Sequence, residues 1–281
     1  MQRVDHGAVV PPEREGQGRK QSAMFDTLAR QVLPKLVKNR EVQDEPALPV
    51  RIEVPSVDAP TKGEELDTLV QAILSDDREA ASRVVEALMC CWGSRSRILT
   101  ETFSLAAERL GELWIADEAS FTDVTLGIGM LTSLMRELCG EALREQNALP
   151  LKNALILSSA GEDHQFGTHM FCQLLSLQGW GCRHIVVETM QEAEQAVSTT
   201  PYLFIGLSMG NSDTYPEWKS RLKRLRARSC NQEVKIIVGG PGVSRFSAPA
   251  RKLDVDMVFY NGMSALPYVE NIYQKQQLTA H

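Results

Sequence analysis

The sequence predicts an α/β protein in two parts, a helical bundle followed by a doubly wound parallel sheet. Three observations carry this prediction. Residues 64–147 place apolar side chains at helical spacing almost without interruption. After Pro150 the pattern changes to short apolar runs, each ending in small or polar residues. Helical stretches separate those runs, the alternation expected of parallel strands joined by crossover helices.

Taken in order, residues 1–21 are polar and carry Pro11, Pro12, Gly16 and Gly18, a composition that favours disorder. A helical stripe of Met24, Phe25, Leu28, Val32 and Leu36 follows over 22–38, with Ser22 placed to cap it and Pro34 to kink it. Residues 41–60 read as a linker, because Pro46, Pro49, Pro55 and Pro60 interrupt them. The expected organisation is a disordered arm and linker with one short amphipathic helix over 1–62, a four-helix bundle over 63–149, and a Rossmann-like domain over 150–281.

The bundle helices fall near 64–75, 77–91, 95–115 and 120–145. Asp76 and Asp77 mark one boundary, Gly93 and Ser94 the next, and Ser120 with Asp123 forms a capping-box-like start for the last. Short connections imply antiparallel packing. In the second part, strands are expected at 153–160, 184–188, 202–208, 234–240 and 257–262. Helices are expected near 167–178 (running into Gly179 and Trp180), 190–198, 215–228, 244–252 and 264–275. A ligand of such a sheet sits at the carboxyl ends of its strands.

Composition bounds the function. The chain has 281 residues, a formal charge of −6, 43% hydrophobic and 23% charged residues, which argues against a generally basic nucleic-acid surface. No apolar run approaches the ~20 residues of a membrane span, and the N-terminus lacks an apolar signal core, so a cytoplasmic protein is expected. The six cysteines (Cys90, Cys91, Cys139, Cys172, Cys182, Cys230) form no CxxC pair and are expected to be buried free thiols. No Ser–His–Asp set, no GxGxxG after a strand and no phosphate loop is visible, so the chain is not expected to be an enzyme.

The chemistry lies in the turns. After the first strand comes Gly161-Glu162-Asp163-His164-Gln165-Phe166-Gly167. His164 stands where an imidazole can reach a ligand, and Glu162 can hydrogen-bond the other ring nitrogen, as outer carboxylates do for metal-bound histidines. Gly167 would let the next helix start close to the sheet. Ser208 ends the third strand and Gly239-Gly240 the fourth, small groups that leave room for a long, flat ligand.

This set (ExHxxG after a strand, a later Ser, a GG turn) resembles the cobalamin-binding module of methionine synthase and corrinoid proteins. The resemblance covers roughly residues 64–275. It implies His164 as the lower cobalt ligand in place of the cofactor's benzimidazole, and Glu162 as its partner. It implies Ser208, Gly239 and Gly240 as walls of the tail pocket, with Asp163 and Gly167 beside the cofactor. Two positions depart from the pattern: Glu162 replaces the usual Asp, and Gly210 follows Ser208-Met209, which would widen the tail pocket.

In the bundle, Leu110-Gly111-Glu112-Leu113-Trp114 is similar to a helix end of light-sensing CarH-type regulators, whose tryptophan covers the upper corrin face. That similarity implies Trp114 as the cap. The Glu-His pair that follows in those proteins is replaced here by Val124 and Thr125, so no protein ligand to the upper face is expected there. The whole layout resembles the AerR/PpaA family of cobalamin-binding antirepressors of photosynthetic bacteria. That resemblance implies a light-responsive regulator acting through a repressor of the CrtJ/PpsR type, with DNA contacted only indirectly or weakly. It implies cobalamin as cofactor, the hydroxo or aquo form favoured and the adenosyl form as the alternative. A corrinoid methyl carrier for a methyltransferase system is the second reading.

Two features stand apart. Lys219 to Arg228 packs six basic residues into ten positions of an expected helix whose Leu222 and Leu225 would face the sheet. A solvated outer face is the expected reading, phosphate or acidic-partner contact the sharper one. His169 and His184 are assigned no ligand role.

Overall fold

The computed structural model describes residues 63–145, 152–160, 165–210, 215–240, 242–243, 253–260 and 262–279. The expected helix over 22–38, the linker over 41–60, the turn residues Glu162, Asp163 and His164, and the helix expected over 244–252 lie outside the described residues. The described residues fall within one compact unit.

The bundle opens with α1 (Glu64–Leu74) and α2 (Arg78–Trp92). Asp77 caps α2 by accepting from the Ala80 amide at 2.9 Å, and Gly93, at φ 58°, ends it in the left-handed region that glycine tolerates best. Ser94 then caps α3 (Arg95–Ile98) by accepting from the Arg97 amide. The single helix expected over 95–115 carries a π-helical turn, Leu99–Phe103, before continuing as α4 (Ser104–Ile115). The wider turn leaves Leu99, Thr102 and Phe103 all buried. Helix α5 (Phe121–Glu145) starts at the expected box: the Ser120 amide donates to Asp123 at 2.8 Å, and the Asp123 amide to Ser120 Oγ at 3.1 Å.

The α/β half runs β1 (Lys152–Ser159), α6 (Phe166–Leu177), β2 (Trp180–Val187), α7 (Met190–Thr199), β3 (Phe204–Ser208), α8 (Tyr215–Arg228), β4 (Lys235–Gly239), β5 (Met257–Val258) and α9 (Gly262–Thr279). All strands pair in parallel, in the order β2-β1-β3-β4-β5. The fold is therefore a helical region followed by a Rossmann-like parallel sheet. Its strand order reverses between β1 and β3, which makes their carboxyl ends the switch point.

Two elements differ from expectation. Strand β2 begins at Trp180, not at 184, and Trp180 is not the end of a helix: Gly179, at φ 81°, separates α6 from the strand. As an edge strand, β2 leaves Arg183 and Val186 exposed, so its sequence lacks the unbroken apolar run that betrays a central strand. Strand β5, at the other edge, holds two residues, with Phe259 N donating once more to Val238 O before α9 begins at Gly262.

Strand β1 is apolar on both faces. Leu155 and Leu157 pack with Ile205, Leu207, Trp218 and Val238 beneath α7 and α8. Ala154 and Ile156 join a continuous core that runs through α6 and α9 into the bundle, where it meets Leu69, Phe103, Leu131 and Met135. Burying both faces of a strand in this way supplies most of the drive to order it.

The cysteines depart from the expected burial. Only Cys139 is fully buried; Cys172 and Cys182 are half-buried and Cys90, Cys91 and Cys230 are exposed. Cys90 and Cys91 lie in the last turn of α2, off the Ala81–Val85–Leu88 stripe that faces the core. Burial pushes the Cys139 thiol up to about 11.

Candidate functional site

Parallel pairing lines up three small residues at the carboxyl end of the sheet. Ser158 of β1 lies opposite Ser208 of β3, and Ser208 opposite Gly239 of β4. Helix α6 is tied to this row directly by Thr168, and the edge strand β2 by His184. Thr168 Oγ1 donates to Ser208 Oγ at 2.9 Å, and the Ser158 hydroxyl shares a 2.9 Å hydrogen bond with His184 Nε2. His184 in turn meets the ring of His169, on α6, edge to face at 5.4 Å.

The turn after β4 closes onto the turn after β3. Met209 N donates to Gly239 O at 2.8 Å and Gly242 N to Met209 O at 2.9 Å. A Cβ at Gly240 would come within 2.6 Å of Met209 O, and one at Gly242 within 2.1 Å of Gly210 O. Both glycines are required by close backbone approach, and Gly240 also by its φ of 97°.

Space opens instead above α6. A cavity of about 390 Å³ lies between α5 and the start of α6, lined by Thr125, Ile128, Gly129, Thr132, Ser133 and Arg136 on one wall and Gln165, Phe166 and His169 on the other. The α5 residues recur at three- and four-residue steps, so one helix face presents them together. Thr125 faces this cavity, whereas Val124 packs on the bundle core. Thr125 and Thr132 spend their hydroxyl protons on the carbonyls of Phe121 and Ile128, at 2.8 and 2.7 Å. A Cβ added to Gly129 meets nothing within 4 Å.

Trp114 sits at the end of α4, half-buried, with its ring 6.3 Å from that of Phe121 and tilted by 58°. Phe121 begins the α5 stripe that leads through Thr125 to the cavity, and it is 58% exposed. Gly167 departs from its expected role. It is exposed and an added Cβ meets nothing within 4 Å, so close packing on the sheet is not its reason. Thr168, one residue on, makes that approach.

His169 and His184 were missed by motif reading, since neither matches a pattern; alternation along β2, which puts His184 on the α6 face, was the available signal. Burial, and then the nearby Arg136 guanidinium, hold the His169 pKa below the ordinary value. Burial and His169 do the same for His184. Ser158 is 1% exposed, and the described ring neighbour of His184 is the imidazole of His169.

The basic helix α8 is largely neutralised. Arg224 and Arg228 both pair with Glu194, Arg221 pairs with Glu217, and Arg226 with Asp256. Leu222 and Leu225 are buried as expected, and so is Trp218. Among the described residues no group of three or more His, Cys, Asp or Glu could hold a metal ion, and no helix is long and apolar enough to cross a membrane.

No protein-family model and no curated protein matches the chain. Solved structures do. The chain superposes on the monomethylamine corrinoid protein of Methanosarcina barkeri with a TM-score of 0.60 at 16% identity, covering 75% of this chain and 100% of that one. The likeness is one of fold. Weaker superpositions are found with a novel cobalamin-binding protein from Desulfitobacterium hafniense (TM-score 0.37, 16% identity, 75% of this chain and 97% of that one). The methanol:cobalamin methyltransferase complex MtaBC of Methanosarcina barkeri gives a TM-score of 0.38 at 12% identity, covering 94% of this chain and 93% of that one.

Proposed function

We propose that this chain binds a corrinoid in the cleft between α5 and the carboxyl end of the sheet. The observation that carries the reading is the open cavity walled by α5 on one side and, on the other, by the start of α6, the helix that follows β1. Its lining suits a flat macrocycle with a carboxamide rim: small residues and hydroxyls on α5, apolar Ile128 and Phe166, and the Gln165 amide. The shared fold with a whole corrinoid protein supports it.

In this reading His164 would hold the cobalt and Glu162 would fix its imidazole, with Asp163 and Gly167 beside the cofactor. Ser208, Gly239 and Gly240 would border its tail, and Trp114 with Phe121 would cover part of the ring. A bound corrinoid supplies a cobalt that can accept and release a methyl group. The protein's own task is to present one face of it while the Thr168–Ser208 bond holds α6, and the Ser158–His184 bond holds β2, at the strand ends. The chain is a carrier, with no catalysis of its own. Methyl carriage is the use best supported, because the superposition spans the entire length of a monomethylamine corrinoid protein.

A light-responsive antirepressor working through a CrtJ/PpsR-type repressor is the second reading. The continuous core from the sheet into the bundle favours it, since a ligand touching both can shift their packing only by binding the two arrangements unequally. Hydroxocobalamin is the favoured form there. Methyl transfer to and from the loaded protein, set beside cofactor-dependent capture of such a repressor, separates the two uses. Methyl turnover without repressor binding supports the carrier, and the reverse supports the regulator.

A further inference from the structure

Arg136 and His169 line one cavity from opposite walls, α5 and α6. Arg136 is exposed and has no carboxylate partner among the described residues; the acid beside it, Glu137, is engaged by Arg78. Among the described residues, none that lines the cavity is acidic. The groups facing His169 are Arg136 from α5 and His184 from β2, so no described carboxylate balances the cationic field there.

We infer that this cavity holds a small oxyanion, a phosphate or carboxylate group, between Arg136 and His169. A guanidinium presents two parallel N–H donors to such a group, and a neutral imidazole adds a third. Ser133 and Gln165 offer further polar contacts in the same lining. Burial and Arg136 hold the His169 pKa down, and an oxyanion beside the ring opposes the Arg136 charge, so binding it draws a proton toward His169. The inference concerns the same cavity as the corrinoid reading but needs no corrinoid to be tested. The oxyanion has two sources, a free phosphate or the phosphodiester of a corrinoid's nucleotide loop.

The test is a histidine-resolved NMR titration of the full chain with inorganic phosphate, His169 being assigned by the resonance missing from His169→Gln. Saturable binding that moves the His169 titration to higher pH is expected. Arg136→Gln, at an exposed position, should melt as the wild type does and bind phosphate roughly tenfold more weakly or worse, since a charge-assisted bond is lost. No saturable shift with either phosphate or cobalamin, or an equal shift in Arg136→Gln, overturns the assignment. A second arm compares cobalamin with cobinamide, which lacks the nucleotide loop. A shift from cobalamin alone assigns the site to the cofactor's phosphodiester, and a shift from phosphate with either corrinoid silent assigns it to a free anion. If neither corrinoid binds at all, the phosphate arm still decides.

Discussion

Thr168 donates its hydroxyl to Ser208 at 2.9 Å, and this one bond joins the first turn of α6 to the end of β3 across the switch point. Thr168 is buried, so losing the bond strands the Ser208 hydroxyl beside an apolar neighbour. Thr168→Val should cost about 1 kcal/mol of unfolding free energy, read from the midpoint of denaturant unfolding. An unchanged midpoint would show that the tie contributes nothing.

The glycines divide into two classes. Gly242→Ala forces a Cβ to within 2.1 Å of a backbone oxygen and should destabilise by about 2 kcal/mol or more. Gly129→Ala, in mid-helix with open space around it, should be neutral or stabilise by about 0.5–1 kcal/mol. Thermal melts of the two variants check both signs.

Stability should depend on pH through His169 and His184, whose folded pKa values lie below the ordinary histidine value. The unfolded chain then binds more protons than the folded one as pH falls below roughly 6.5. Stability is full above that pH and declines as pH drops toward the folded values. Unfolding measured across this range in His184→Gln should show a shallower decline, because one of the two groups is gone. An equal slope would mean that the pair does not set it.

Duplex DNA should bind weakly. Four of the six basic residues of α8 are already engaged by Glu194, Glu217 or Asp256, and the chain carries a formal charge of −6. Fluorescence anisotropy with a labelled duplex at low and moderate salt measures this. Tight, sequence-selective binding by the isolated chain would contradict it.

The fold was largely legible because its elements are strongly patterned. The Ser120–Asp123 box, the Asp77 cap and the Gly93 stop all appear where their residue types implied. Strand β2 was read too short because an edge strand alternates apolar and polar side chains and so hides its length. The π-helical turn has no composition signal; only the need to bury Leu99, Thr102 and Phe103 together explains it. At the site, motif reading found the small residues at the strand ends but missed His169, His184 and Thr168. Their roles come from contacts between a helix and two strands distant in sequence.

Corrinoid retention by wild type and by Gly129→Phe tests the central claim most directly. The bulky side chain fills the α5–α6 cavity from a position where the fold has room for it. Mixed with hydroxocobalamin and passed through gel filtration, the wild type should co-elute with near-stoichiometric corrinoid and a shifted absorption spectrum. Gly129→Phe, as stable to heat, should elute without it. Wild-type protein free of corrinoid, or equal retention by both, would contradict the account.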